Sequence, residues 1–354
     1  MLKILITGGA GFVGSTLCIQ LKQKYPAYTI VAFDNLKRRG SELNLIDFQK
    51  WGIDFIHGDI RNNEDIQAVG KFDVLIEASA EPSVTAGLDS DPTYVINNNL
   101  YGSIHCFNAC LKNNAKLIFL STSRVYPIET IEKANFVESD TRFSLDENQA
   151  IPGISEKGIS EALRLDGARS FYGTTKLSSE LFIQEYAAFY GLKAAVNRFG
   201  VIAGPRQMGK TDQGVVTLWM AKHYWKQSLK YIGYGGTGKQ VRDILHVDDL
   251  VDLIDLQIHQ IEKFEGKIYN VGGGLENSAS LLEMTAICEK ITGNKINIAS
   301  ESQTRPADLR IYITDNSLIE KEIGWKPKRN VEQIFEDIYL WIKNNEQQLE
   351  SILK

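Results

Sequence analysis

The chain has 354 residues, 43% hydrophobic and 23% charged, with 39 Lys and Arg against 44 Asp and Glu for a formal net charge of −5. At roughly 150 residues per domain this is about two domains, with ample length to bury a core. The mild acidity excludes a surface built for nucleic acid or an anionic membrane, and no run reaches the ~18 apolar residues of a membrane span.

Short β-branched runs at Lys3–Thr7, Thr29–Phe33, Asp54–His57, Val74–Glu77, Leu117–Ser121 and Lys193–Phe199 are predicted as strands. Helical patterns at Ser15–Lys24, Asn99–Asn113 and Thr174–Tyr190 lie among them. Strands alternating with such helices predict an α/β fold, a Rossmann-type doubly wound parallel sheet whose strands are nearly all apolar, as expected when helices cover both faces. After residue 200 strands shorten and order becomes irregular, which predicts a smaller, discontinuous α/β lobe. The expected division is 1–200 with 240–265 as the nucleotide-binding domain, and 201–239 with 266–354 as the substrate lobe. Pro127 to Ser170 is long and polar, as functional loops or insertions are.

The first strand ends in TGGAGFVG, where Gly8, Gly11 and Gly14 are evenly spaced. Small residues let the backbone turn tightly and approach a pyrophosphate, and the following helix presents its positive end. Any tight strand-to-helix turn can use such a triplet. Here a strand precedes it, a helix follows, and Asp34 closes the second strand 20 residues after Gly14, which favours a dinucleotide. A carboxylate at Asp34 accepts both adenosine ribose hydroxyls and repels a 2′-phosphate, so NAD is expected rather than NADP. Lys37, Arg38 and Arg39 read either as phosphate partners or as a solvated loop. Asp59 and Ile60 in HGDI either hold the adenine or merely end a strand. Phe12, Val13 and Asn35, beside these positions, complete this part of the cofactor set.

Tyr172 and Lys176 in YGTTK are four residues apart and share a helix face. A nearby ammonium favours the phenolate of a tyrosine, whose ordinary pKa is about 10, and so provides a general acid/base. Helical Tyr/Lys pairs are often structural, but this one follows the glycine motif and a hydroxyl cluster, FLSTSRVY, at a strand end. In the second half Arg206, Arg242 and Arg305 either fork onto a diphosphate or pair with Asp243, Asp248 or Asp308. Gln207, Asp212 and Gln213 are candidate sugar or nucleotide contacts. His246 reads as a structural histidine and Asp248 and Asp249 as a helix start.

TGGAGFVG, Asp34, LSTSRVY and YGTTK, in this order, resemble the extended short-chain dehydrogenase/reductase family, in particular its nucleotide-sugar epimerases and dehydratases, over essentially the whole chain. The resemblance implies a catalytic triad of Thr122, Tyr172 and Lys176, with Thr122 four residues before Tyr126; Ser121 and Ser123 are neighbours that fit a different register. It implies that Asn99 supports the cofactor and that Ala78 and Ala80 pass along its pyrophosphate and nicotinamide ribose. Arg242 and Arg305 are implied at the nucleotide diphosphate and Asp308 at its ribose. Glu81, Ser123 and Arg124 join Arg206, Gln207 and Gln213 as the remaining substrate candidates. The segments DNLKRRGSELNL, HGDIRN, TDQGVV, GKQVRDILHVDDL and NVGGGLENSASLLE further resemble the CDP-paratose 2-epimerase (CDP-tyvelose epimerase) group. Ser123 and Arg124 replace the Asp-Glu of the dehydratase branch. Other departures are Glu77 for a strand-end histidine, Pro127 for the glycine after VY, and Val201 and Ala203 in RFGVIAGPR for the usual Asn and Tyr.

The implied reaction inverts one carbon of a nucleotide-activated hexose by transient oxidation. Tyr172 takes the hydroxyl proton, NAD the hydride, Thr122 orients the oxygen and Lys176 binds the nicotinamide ribose; the keto sugar turns and is reduced on its other face. CDP-paratose to CDP-tyvelose at C2 is the leading expectation. A C4 epimerase of a UDP- or GDP-sugar, a net NAD(P)H-dependent reductase and a non-enzymatic redox-sensing regulator are the alternatives. The expected partners are NAD, a nucleotide sugar and a second copy of the chain; the resemblance implies a homodimer paired through the Asn99–Asn113 and Thr174–Tyr190 helices, whose apolar residues Leu177, Leu181 and Phe189 fit burial against the sheet equally well. No nucleic acid, membrane or metal is expected. Four cysteines (Cys18, Cys106, Cys110 and Cys288) without metal or disulfide spacing, and an apolar start that lacks a signal-peptide pattern, lead to a cytoplasmic expectation.

Overall fold

The computed structural model describes residues 2–88, 90–210 and 213–354. Four largely apolar runs and the half-exposed segment DFIH form β1 (Lys3–Thr7), β2 (Thr29–Asp34), β3 (Asp54–His57), β4 (Val74–Glu77) and β5 (Lys116–Thr122), β3 being the DFIH segment. β1 pairs in parallel with β2 and β4, β2 with β3, and β4 with β5. The full seven-stranded sheet runs Ile268–Val271, Ala194–Phe199, β5, β4, β1, β2, β3. Its order reverses at β1, whose neighbours are β2 and β4, so the carboxyl ends of β1 and β4 flank a topological switch point.

The chain forms two compact units. The first comprises Met1–Thr122, Ser170–Arg198 and Leu250–Ile268. Its core gathers Val31, Phe33, Leu75, Phe107, Phe119 and Ile183, with Phe107 edge-on to Phe119 at 5.9 Å. The second comprises Ser123–Arg169, Phe199–Asp249 and Tyr269–Lys354. Its central strand, Val241–His246, runs parallel to Val201–Ala203 and Ile311–Tyr312 and antiparallel to Ser278–Ser280. Capping boxes, Ser280 with Glu283 and Asn330 with Gln333, start its helices Leu281–Thr292 and Val331–Asn344.

Sequence reading ran the first domain unbroken to residue 200, whereas the first unit gives up the chain after Thr122 and regains it at Ser170. The excursion makes two short hairpins, Phe136–Glu138 with Phe143–Leu145 and Ile154–Ser155 with Gly158–Ile159. Hydrogen bonds explain its grouping: the Phe143 N–H donates to the Lys239 carbonyl at 3.0 Å and the Ile159 N–H to the Ile313 carbonyl at 2.8 Å. Phe143 also packs with Val241, Ile311 and Ile313. The helix expected over Asn99–Asn113 begins at Gly102, because a wide turn occupies Asn97–Tyr101. Helix Phe171–Tyr190 begins with Ser170, whose Oγ accepts the Gly173 N–H at 3.1 Å.

Candidate active site

After Thr7 the backbone turns at Gly8, whose φ of +63° is left-handed and where a Cβ would stand 2.7 Å from the Ala78 carbonyl oxygen. Gly14 closes the turn: a Cβ there would lie 2.1 Å from the Gly8 oxygen. The Gly11 N–H donates to that oxygen at 3.0 Å. Helix Phe12–Lys24 follows with neither a capping side chain nor an acidic residue in its first turn, so nothing of its own competes with an anion for the N–H groups around Phe12 and Val13.

Asp34 accepts the Ala10 N–H at 3.1 Å and the Leu36 N–H at 2.8 Å, which ties the glycine turn to the end of β2. Burial pushes its carboxyl up, against the pull of these donors. Asp59 receives Arg61, at 2.6 Å from NH2, and the Asn35 amide at 2.9 Å; Arg61 chiefly holds this carboxyl far below the usual range. Ile60 is buried against Gly102, where a Cβ would come 2.6 Å from Ile60 Cδ1. Of the three basic residues after Asp34, Lys37 sits over the Tyr94 ring, 3.2 Å from its centroid.

Asn99 is fully buried and exchanges two hydrogen bonds with the Glu81 backbone: its Oδ1 accepts the N–H at 2.8 Å and its Nδ2 donates to the carbonyl at 3.0 Å. The loop holding Ala78, Ala80 and Glu81 is thereby fixed beside β4. Thr7 Oγ1, Glu77 Oε1 and Ser79 Oγ are buried here without a hydrogen-bond partner. Buried polar atoms are normally satisfied, so three orphans next to a glycine cradle fit a bound dinucleotide.

Tyr172 lies in the first turn of helix Phe171–Tyr190 and Lys176 one turn on. Lys176 Nζ is 3.3 Å from Glu77 Oε2 and 4.4 Å from the Phe119 ring centroid. The two charged side chains are 2% and 0% exposed. Burial pushes the Glu77 carboxyl up and Lys176 pulls it back. A further turn along, Glu180 accepts the Ser121 hydroxyl and the Arg198 guanidinium. Of the clustered hydroxyls, Ser121 is therefore bound to Glu180, while Thr122 closes β5 in the first unit and Ser123 opens the second unit's chain.

The second unit brings Arg124, Arg242, Arg305 and Asp308 to one turn. Arg242 NH2 donates to Asp308 Oδ1 at 2.7 Å, the ion pair that sequence reading held open as an alternative. The Asp308 N–H donates to the Arg305 carbonyl at 3.3 Å, Ala307 between them is left-handed at φ +62°, and Arg124 NH1 reaches the Ala307 carbonyl at 3.0 Å. Gln207 lies elsewhere: its amide donates to the Ile202 carbonyl at 2.9 Å and accepts the Thr217 hydroxyl at 2.8 Å, so both ends hold the loop that follows left-handed Arg206. Gln213 bridges to Lys210 through the backbone, and Asp212 lies outside the described residues. His246 Nδ1 accepts the Asp248 N–H at 3.0 Å. Among the described residues no His, Cys, Asp or Glu group is arranged to hold a metal.

The sequence shows Glu77 only as a departure from the strand-end histidine, not as a partner of Lys176, and gives no sign of Glu180 as a member of this neighbourhood. Glu77 carried a signal: it ends VLIE, a strand buried at every residue, and an ionised side chain there requires a partner.

The NAD dependent epimerase/dehydratase family matches residues 4–272. CDP-paratose 2-epimerase of Salmonella typhi is 30% identical over 349 residues, 96% of this chain and 99% of that protein. A bifunctional UDP-glucose 4-epimerase and UDP-xylose 4-epimerase of Pisum sativum is 28% identical, over 97% of this chain and 96% of its own. The crystal structure of UDP-glucuronic acid 4-epimerase from Bacillus cereus, in complex with UDP-glucuronic acid and NAD, matches with a TM-score of 0.78 at 25% identity, covering 97% of this chain and 99% of that one.

Proposed function

This chain belongs to the NAD dependent epimerase/dehydratase family, and we propose that it epimerises a nucleotide sugar at C2, converting CDP-paratose to CDP-tyvelose. The observation that carries the reading is the Tyr172–Lys176 helix turn, whose lysine reaches the end of β4 at the switch point where the Gly8 turn begins. The 30% identity to a CDP-paratose 2-epimerase, across nearly both full lengths, supports the choice of sugar.

The hydrogen on C2 of such a sugar is not acidic, so a base alone does not remove it. The Gly8–Gly14 turn, Asp34 and Lys176 would hold NAD, which would supply the hydride acceptor and donor that such an inversion needs. Tyr172 accepts the sugar hydroxyl proton on its phenolic oxygen and gives it back. Thr122 orients that hydroxyl, and the Lys176 ammonium favours the phenolate. In this reading the first unit is the cofactor domain and the second the sugar-nucleotide lobe. There Arg242 and Arg305 take the diphosphate and Asp308 the nucleotide ribose.

A second reading, C4 inversion of a UDP-sugar, is favoured by the 28% identity to the Pisum sativum 4-epimerase, over 97% of this chain and 96% of that protein. Incubating the purified protein with CDP-paratose and, separately, UDP-glucose, with proton NMR of the products, separates the two. The expected result is C2 inversion of CDP-paratose with no net change in reduced cofactor. Inversion at C4 of UDP-glucose alone moves the assignment to the second reading, and stoichiometric consumption of NADH overturns both in favour of a reductase.

We further infer a homodimer through helix Phe171–Tyr190, on which Leu181, Phe182, Phe189 and Tyr190 are exposed, Phe189 to 76%. Light scattering should return the mass of two chains; a single-chain mass at assay concentration would refute this.

A further inference from the structure

A carboxylate at the end of a strand buried on both faces needs a reason to be there. Glu77 is in register with Thr7, so it stands at the carboxyl end of β4 beside the start of the Gly8 turn. Its Oε2 meets Lys176, its Oε1 has no hydrogen-bond partner, and the Ser79 backbone N–H also helps to hold the carboxylate charged. Lys176 in turn has the Phe119 ring on another side and almost no solvent. The ammonium is thus confined between one carboxylate and one aromatic face.

The other titratable and charged groups near it are accounted for. On its own helix lie Tyr172 and Glu180. Glu180 is taken by Arg198, from strand Ala194–Phe199, and by Ser121 from β5. From helix Gly102–Asn113 comes Cys106, a buried thiol pushed well up by burial and by Glu77, and therefore neutral. Among the described residues, Glu77 is the carboxylate ion-paired with Lys176.

We propose that Glu77 is a positioning residue that acts through Lys176: it fixes the ammonium and offsets part of its charge, so that Tyr172 works at a higher pH than it would beside an unpaired lysine. This rests on the roles given above to Tyr172 and Lys176. The physical ground is that a cation stabilises a neighbouring phenolate through its field, and a carboxylate 3.3 Å from that cation turns a monopole into a much weaker dipole. Removing the carboxylate should therefore make the phenolate easier to form.

The test compares Glu77→Gln, Glu77→His and Glu77→Asp with the wild type, using two readouts: the pH profile of kcat, and phenolate absorbance in the substrate-free protein, assigned to Tyr172 by difference from Tyr172→Phe. In Glu77→Gln the acid limb and the phenolate absorbance should both move about one pH unit lower. Glu77→Asp keeps the charge and should keep both near the wild-type pH, with kcat lowered and KM little changed because the shorter chain no longer fixes the ammonium. Glu77→His places at this site the residue found in the family's strand-end pattern, and above its own titration should follow Glu77→Gln; it carries the comparison if the glutamine variant does not fold. Unmoved profiles in a folded variant lacking the carboxylate overturn the proposal. If Tyr172→Phe itself remains active, the assignment of Tyr172 as base fails instead, so the two failures are distinguishable.

Discussion

Tyr172→Phe is expected to lower turnover by roughly 10³-fold, within the range lost when a positioned acid/base is deleted, while NAD affinity stays near that of the wild type. The phenol has no part in starting its helix, which is capped by Ser170. The first-turn bond that involves Tyr172 runs through its backbone carbonyl, which accepts the Thr175 hydroxyl at 2.8 Å. Phenylalanine keeps the ring and the helix, and neither the Gly8–Gly14 turn nor Asp34 is touched. The variant therefore isolates the proton transfer from folding and from cofactor binding. Turnover by NMR, alongside NAD binding followed by quenching of intrinsic fluorescence, checks both halves. Turnover within about tenfold of the wild type would mean that another group moves the proton; lost NAD binding would mean that the phenol holds the cofactor rather than the sugar hydroxyl.

What the sequence disclosed follows from where the determining interactions lie. β1, β2, β4 and β5 are apolar runs buried along almost their whole length, with β3 a half-buried strand at the sheet edge, and the Gly8–Gly14 turn is dictated by sterics within a few residues, so both are written locally. The Tyr172–Lys176 pair is likewise a matter of helical period. The features that escaped are set at a distance. Glu77 and Lys176 are 99 residues apart, and only the sheet brings them together. The 123–169 excursion joins the second unit through bonds such as Ile159 to Ile313, which no local pattern encodes. Asn99 was read as a cofactor support; its amide is engaged with the Glu81 backbone, so any support it gives passes through that loop. Gln207 is a candidate sugar or nucleotide contact, and its amide is engaged with the Ile202 carbonyl and the Thr217 hydroxyl, partners that only the fold supplies. A polar residue in a loop discloses its chemistry, and the fold decides whether that chemistry is spent internally.

Arg198→Met should destabilise the protein by about 3–5 kcal/mol, the usual cost of stranding one member of a buried ion pair. Arg198 Nε lies 3.1 Å from each Glu180 carboxylate oxygen and its NH2 2.7 Å from Oε2, with both residues buried. Methionine fills much of the same volume and leaves Glu180 with the Ser121 hydroxyl. Glu180 follows Lys176 by one turn, so the pair anchors the Tyr172 helix to the strand beside β5. Urea unfolding should show a lower midpoint with an unchanged slope, because the surface exposed on unfolding is the same. Glu180→Leu combined with Arg198→Met removes both charges and should recover most of the loss, since a hydrophobic replacement of a whole buried pair is often close to neutral. If the double variant is as unstable as the single, the loss comes from packing around the guanidinium and not from a stranded charge.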